Sequence, residues 1–580
     1  MIGRLSRSLG AAYITSLLLA LIFVTTPILS RCSDLPPAQP RFSDTTSALG
    51  IHFQHVASHT SRKYLIETMG SGVALFDYDN DGRLDVFAVN GAPLADPTPK
   101  GAIPQKAGPE HWNRLFHQKP DGKFEDVTEK AGLQGAGYGM GVAVGDYDND
   151  GFEDLYVTSY GGNKLYHNNG NGTFTDVTSQ AGVSGSGWST GAAWVDLDND
   201  GLLDLVVLRY MQWDFDDIWC GEHKEGGRAY CTPDAFRPIT LLVYRNDGRG
   251  HFTEASQKFG LSKPGKGLGI AIADYDRDGH IDLFIANDSM PEFLYHNTGH
   301  GAFEEVGLPA GVAVDGEGRS YAGMGVEFAD YNNDELPDLL VTDLANQMYA
   351  LYRNNGDSSF VYDTYPSGLG RMTATHSGWG VRFLDYDNDG WKDLIIAQGH
   401  DLDNIELTFP NLRYREPMLL ARNTGKNFVD VSAEAGTVFQ QPWVGRGLAV
   451  GDIDNDGRLD AVVTTNDGPL HVLHNETTTS NHWLMLKLVG HKSNRDAIGA
   501  IVKIVSTKGV QCATVSTAGS YLSSSDKRLH FGLGQDSVVK SVEIQWPSGI
   551  RQTLQNIRGD QILQVDEPSM PRSNPEEERH

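Results

Sequence analysis

Cysteine is scarce, with four residues in 580, and none stands beside the acidic motifs that fill the chain. That excludes the cysteine-rich type of extracellular Ca²⁺ repeat, and no C-x-x-C spacing offers a zinc or redox pair. Basic residues number 47 Lys and Arg against 75 Asp and Glu and form no stripe, which excludes nucleic acid as a partner. No long amphipathic heptad appears. Nor is there a Ser–His–Asp order, a catalytic carboxylate pair separable from the acidic motifs, or a cofactor fingerprint.

What the chain has in abundance is one nonapeptide. DYDNDGRLD begins at Asp77 and is followed by DYDNDGFED from Asp146, DLDNDGLLD from Asp196 and DYDRDGHID from Asp274. DYNNDELPD from Asp330, DYDNDGWKD from Asp385 and DIDNDGRLD from Asp452 complete seven copies. Alternating carboxylates with a Gly turn wrap a chain around a hard cation, which takes six to eight oxygens; Ca²⁺ is the expected ion, up to seven per chain. The expected ligands stand at positions 1, 3, 5 and 9, with a backbone carbonyl from position 7. In the first two loops these are Asp77, Asp79, Asp81, Asp85, and Asp146, Asp148, Asp150, Asp154. The third and fourth supply Asp196, Asp198, Asp200, Asp204, and Asp274, Asp276, Asp278, Asp282. The fifth has Asp330, Asn332, Asp334 and Asp338; it departs from the pattern, with Asn332 for Asp and Glu335 for Gly. The last two supply Asp385, Asp387, Asp389, Asp393, and Asp452, Asp454, Asp456, Asp460. Seven bound Ca²⁺ would halve the formal charge of −28, so the acidity is mostly metal-site chemistry.

The flanks separate these loops from EF-hands. Position 12, where an EF-hand has a bidentate Glu on a helix, is Ala88, Val157, Val207, Ile285, Val341, Ile396 and Val463. Short aliphatic runs stand before and after each loop and read as buried strands. Five residues before the first Asp there is always Gly: Gly72, Gly141, Gly191, Gly269, Gly325, Gly380 and Gly447. Gly inside a strand marks close backbone approach, as in the innermost strands of a propeller. A second phrase, F-x-D/E followed by a small-residue turn, recurs after the first six loops, with one degenerate copy, but not after the seventh. Its N-terminal copy, RFSDTTSALGI from Arg41, supplies the missing outer strand. The expected fold is all-β: a closed seven-bladed β-propeller over 41–478, then a small all-β domain over 482–567.

Residues 1–31 have the layout of an export signal, or of an uncleaved membrane anchor. Cys32 raises lipid attachment, although Arg31 stands where a lipoprotein signal wants a small residue. The largest insertion, Arg209–Pro238, holds Cys220 and Cys231, expected to form a disulfide in an exported chain. Its aromatics Tyr210, Trp213, Phe215, Trp219 and Tyr230 read as a miniature core or as a carbohydrate-facing platform. His400, Asp401 and Asp403 lie in a smaller insertion; His55, His59 and His400 are the histidines that could line a propeller mouth. Asn494, Arg495 and Asp496 read as a turn, and Arg528 and His530, after Asp526, as alternating along a strand rather than as catalytic sets. The charged, Pro-containing tail 568–580 is expected to be disordered.

The Gly–strand–DxDxDG–strand unit resembles the FG-GAP/VCBS repeats of integrin α-chain propellers. SNRDAIGA, GSYLSSSDKRLHFGLG and VEIQWPSG look like an ASPIC/UnbV domain, and the combination is similar to the cartilage acidic protein family and its bacterial relatives. The resemblance implies a secreted Ca²⁺-binding propeller that docks extracellular or cell-surface protein or glycan, and supplies no catalytic residues. It leaves open an enzyme or biosynthesis-associated protein acting on a carbohydrate or natural product. Contact with membrane is expected only through the N-terminal segment.

Overall fold

The nonapeptide always joins the first and second strands of an antiparallel sheet, four-stranded except in blade 4, where Tyr321–Ala322 adds a fifth strand, and its last Asp opens the second strand. In blade 1 the strands are Val73–Phe76, Asp85–Ala88, Arg114–Gln118 and Phe124–Asp126. Blades 2 to 6 repeat this order, their innermost strands beginning at Tyr138, Ser189, Gly267, Val326 and Gly378. Blade 7 takes Gly445–Gly451, Asp460–Thr465 and Leu470–Asn475 from the end of the array and Phe42–Asp44 from its beginning. Phe42 pairs with Asn475 and Asp44 with Leu473, so the N-terminal phrase is the outer strand of the seventh sheet. This computed structural model describes residues 38–569 except 225 and 300. The export segment, Cys32 and most of the tail lie outside the described residues.

The glycine of each innermost strand answers the crowding at the axis. A Cβ on Gly325 would lie 1.9 Å from the carbonyl oxygen of Trp379 in the next blade. On Gly447 it would lie 2.5 Å from the carbonyl of Ser71, across the junction of the last and first blades. Between blades, aliphatic side chains of adjacent sheets bury against one another: Val142, Val144 and Leu155 pack with Ala74, Phe76 and Phe87.

After residue 481 the chain builds a three-stranded and a four-stranded sheet. His482–Val489 lies between Leu529–Gly534 and the parallel Gln561–Asp566. Ile501–Val505 lies between Val510–Thr514 and Val538–Gln545, with Arg551–Arg558 outside. Propeller and C-terminal sheets belong to one compact unit. The segment between those sheets, Thr517–Asp526, runs into the axis of the propeller and fills it. Ser520 and Val326 exchange both backbone hydrogen bonds, at 2.7 and 3.1 Å. The amides of Val142 and Leu75 donate to the carbonyls of Leu522 and Ser524, and Asp526 donates to Val450. Tyr521 packs edge-on against Trp379, and its hydroxyl donates to the Met69 carbonyl at 2.8 Å. Inner-strand amides that a bare channel would leave to water are thereby paired.

The opposite face carries insertions, because every second strand ends there. Cys220 and Cys231 form the expected disulfide. Tyr210, Phe215 and Tyr230 are buried and Trp213 packs against them, a miniature core; only Trp219 faces outward. Asn404 of the smaller insertion donates to the Arg228 carbonyl at 3.0 Å, and Lys100 pairs with Asp216 at 2.7 Å, so three excursions make one cap.

Candidate metal loops and the cap face

Each loop is held by its own amides. The position-1 carboxylate accepts the N–H groups of positions 5 and 6, as Asp77 does from Asp81 at 2.9 Å and Gly82 at 3.0 Å. The same pair recurs at Asp146, Asp196, Asp274, Asp330, Asp385 and Asp452. Position 5 accepts from position 7, and position 9 accepts the amide that ends the third strand. Position 6 has positive φ throughout, +84° at Gly82, and Glu335 is held there at +77° in the fifth loop. That loop keeps the shared fold, but the Asn332 side-chain oxygen accepts the Asp334 amide and Glu335 pairs with Lys503 at 3.0 Å.

Position 3 is different. One carboxylate oxygen of Asp79, of Asp198 and of Asp276, and both of Asp387, are buried without a hydrogen-bond partner. An unpaired buried carboxylate oxygen is costly, and the same atom is left open in loop after loop. Asp77, Asp79 and Asp81 bring ligand oxygens within 4.8 Å of one another, a group that could hold a metal ion. An all-carboxylate set with turn carbonyls suits a hard cation. Burial, reinforced by neighbouring carboxylates, pushes Asp85 and Asp274 up to about 6, Asp196 to about 7 and Asp204 to about 8.

The sequence reading missed a second partner of these loops. The third strand of blades 1, 2, 3, 4 and 7 places a basic side chain over the loop carboxylates. His117 Nδ1 lies 3.1 Å from Asp85, His167 3.3 Å from Asp148 and Asp154, His296 3.3 Å from Asp276, and His474 3.1 Å from Asp460. Arg245 fills the same place in blade 3, at 2.7 Å from Asp198 and 2.8 Å from Asp200. The adjacent position-9 Asp raises His167, His296 and His474 to about 9. Arginine in one of these places shows that the position serves a positive donor rather than a metal ligand. The signal was present in LFHQ, LYHN, VYRN and VLHN, phrases that otherwise read as hairpin approaches.

Neighbouring loops are linked around the ring. The side-chain amide of Asn80 donates to the Gly151 carbonyl at 2.7 Å, and that of Asn455 to the Gly82 carbonyl at 2.9 Å, across the junction of the last and first blades. The residue ending each third strand reaches back to the preceding blade: Asn168 to the Tyr78 carbonyl, and Gln118 to Ile453. The C-terminal sheets sit on this face. Asp496 accepts the Asp146 amide at 2.7 Å, Arg528 reaches Asn455 at 2.7 Å, and His530 Nε2 lies 3.1 Å from the Gly457 carbonyl. The polar residues of both C-terminal motifs thus dock one sheet system on the other.

His55, His59 and His400, the histidines that could line a propeller mouth, lie away from the loops. His55 is buried and accepts the Asp467 amide at 3.1 Å; His400 is buried and accepts the Leu402 amide at 3.0 Å. His59 is part exposed, with Nδ1 at 2.8 Å from the Tyr230 hydroxyl, which donates to the buried Glu67. The cap leaves Ile103, Ile218, Trp219, Leu407 and Phe409 exposed, Leu407 at 60%. No helix among the described residues is long and apolar enough to cross a membrane.

The model of the FG-GAP-like repeat matches residues 77–157, 146–207, 229–285, 274–341 and 330–396, and that of ASPIC and UnbV matches 490–572. Cartilage acidic protein 1 of Mus musculus is 27% identical over 313 residues, 51% of this chain and 44% of that protein. The Homo sapiens protein is 26% identical over 336 residues, 55% and 46% of the two chains. The chain therefore spans less than half the length of these relatives. Among solved structures, the BP39L lectin from Burkholderia pseudomallei aligns with TM-score 0.41 and 11% identity over 71% of this chain and 98% of that one. The structure of an Agrocybe aegerita protein that specifically recognises non-reducing terminal N-acetylglucosamine aligns at 0.36 and 14%, over 69% and 87%. The seventh loop lies outside the repeat matches yet has the same internal hydrogen bonds as the others. The chain belongs to the FG-GAP-like repeat proteins, with a C-terminal ASPIC and UnbV domain.

Proposed function

We propose that the protein is an exported, Ca²⁺-stabilised propeller that works as a binding module for an extracellular or cell-surface protein or glycan. The ions are structural: held by positions 1, 3, 5 and 9, with the position-7 carbonyl, they neutralise carboxylates that otherwise repel. The unpartnered position-3 oxygens support that assignment, and the disulfide fits an oxidising compartment. The binding surface is the cap. The observation that carries this reading is the group of exposed apolar side chains on the excursions that make the cap, with Trp219 and Phe409 its largest rings. The opposite face is covered by the C-terminal sheets, and the channel is filled. Screening the full chain against glycan and surface-protein arrays, with Ca²⁺ and with chelator, tests the proposal. A ligand lost both on chelation and on Trp219→Ala/Phe409→Ala substitution is expected; a ligand retained by the double variant contradicts the cap assignment.

A further inference from the structure

Between the loop face of blades 4 to 7 and the four-stranded C-terminal sheet lies a cleft of about 650 Å³, within the size range of small-molecule sites. Its floor is apolar, with Phe328, Phe383 and Leu384 of the propeller, and Leu529 closes one side. Of its acidic groups, Asp330, Asp385, Glu335 and Glu327 are already engaged. Both oxygens of Asp330 and of Asp385 accept loop amides, and Glu335 pairs with Lys503. Glu327 accepts the Phe383 amide at 2.7 Å and faces Arg382 at 3.3 Å.

The basic groups keep spare capacity. Lys392 comes from position 8 of the sixth loop, and its ammonium meets only the Cys512 carbonyl, at 3.4 Å, among the described residues. Its charge acts on Glu327, Asp330 and His530, which places it amid the polar wall. Arg382 Nε is buried without a partner. His530 uses Nε2 toward the Gly457 carbonyl, and burial holds its ring neutral, down to about 4. Its buried, unpartnered Nδ1 is therefore a hydrogen-bond acceptor.

We infer that this cleft is a binding site for a small organic anion with an apolar body and one hydrogen-bond donor. The anionic group meets Lys392 and Arg382 Nε, the body lies on the phenylalanine floor, and the donor reaches His530 Nδ1. The site is independent of the cap and of its ligand, and the cleft exists only where the two sheet systems meet. The charge-assisted contacts select the anion, and the floor supplies the area.

The test uses the Ca²⁺-loaded full chain and two fluorophores with the same body and N–H. 8-Anilinonaphthalene-1-sulfonate carries the anion, and N-phenyl-1-naphthylamine lacks it. Saturable binding of one sulfonate per chain is expected, at least tenfold tighter than the neutral amine. Lys392→Gln should remove most of that preference and leave the amine unchanged. Thr514→Trp, from the sheet lining the cleft, should block both probes while the melting temperature holds. Equal affinity for the two probes, no saturable sulfonate binding, or sulfonate binding intact in Thr514→Trp would each overturn the assignment.

Discussion

Removing Ca²⁺ should destabilise the propeller, and more at pH 8 than at pH 5. A site filled at tenfold its dissociation constant adds RT ln 11, about 1.4 kcal/mol. Six loops with the full ligand set then contribute about 8 kcal/mol, comparable to the whole stability of many domains. For a folded unit of this size the unfolding entropy is about 1.1 kcal/mol/K, so the melting temperature falls by about 7 °C on chelation. The pH dependence follows from the raised carboxylates. Asp85, Asp196, Asp204 and Asp274 titrate at about 6 to 8 in the ion-free fold against 3.8 for an ordinary Asp. Between those values the ion-free fold holds more protons than the unfolded chain, so its stability falls as pH rises from about 4 to 8. Ca²⁺ replaces those protons, and its stabilising effect grows over the same window. Scanning calorimetry at pH 5, 6.5 and 8, with 5 mM Ca²⁺ (about tenfold above a sub-millimolar constant) and with chelator, reads this directly. A chelator shift equal at all three pH values, or larger at pH 5, would refute the reasoning.

Gly325→Ala puts a methyl 1.9 Å from a backbone carbonyl of the next blade, and neither side can yield; a loss of about 3 kcal/mol or more is expected in denaturant titration. Trp219→Ala and Phe409→Ala change exposed side chains, at 43% and 46%, and should leave stability within about 0.5 kcal/mol while abolishing ligand capture. The Glu567 carboxylate accepts the Ser548 hydroxyl and the amides of His491, Lys492 and Ser493, which hold it down at about 2 despite burial. That stabilisation is present above pH 4.5 and lost as pH falls toward 2, so Glu567→Gln should cost about 2–3 kcal/mol at pH 7 and flatten the acid limb of the stability curve.

The loops and the glycines that precede them were legible because both are local and repeated. An Asp that must accept amides four and five residues on has no freedom in spacing, and Gly447 must be small whichever blade it meets. The F-x-D phrase missing after the seventh loop named Phe42 as its substitute, and the register bears that out. The axial segment was not legible: Ser520, Leu522 and Ser524 pair with strands some 200 to 450 residues away, and no local pattern encodes those contacts. His117, His167 and Arg245 escaped for a related reason, since their carboxylate partners lie on another strand and two residue types fill one role. In the large insertion the aromatics were visible, but burial of Tyr210 and Tyr230 and exposure of Trp219 depend on the neighbouring excursions.

The most direct test of Ca²⁺ as the organising ion is a count. Equilibrium dialysis of the purified full chain against ⁴⁵Ca²⁺, followed by anomalous scattering from crystals grown with the ion, gives number and position together. Six or seven ions per chain are expected, each within bonding distance of positions 1, 3 and 5, with Asp79, Asp198, Asp276 and Asp387 turned to the metal through the oxygens that lack protein partners. At most one bound ion in a folded chain, or ions seated away from these carboxylates, would contradict it.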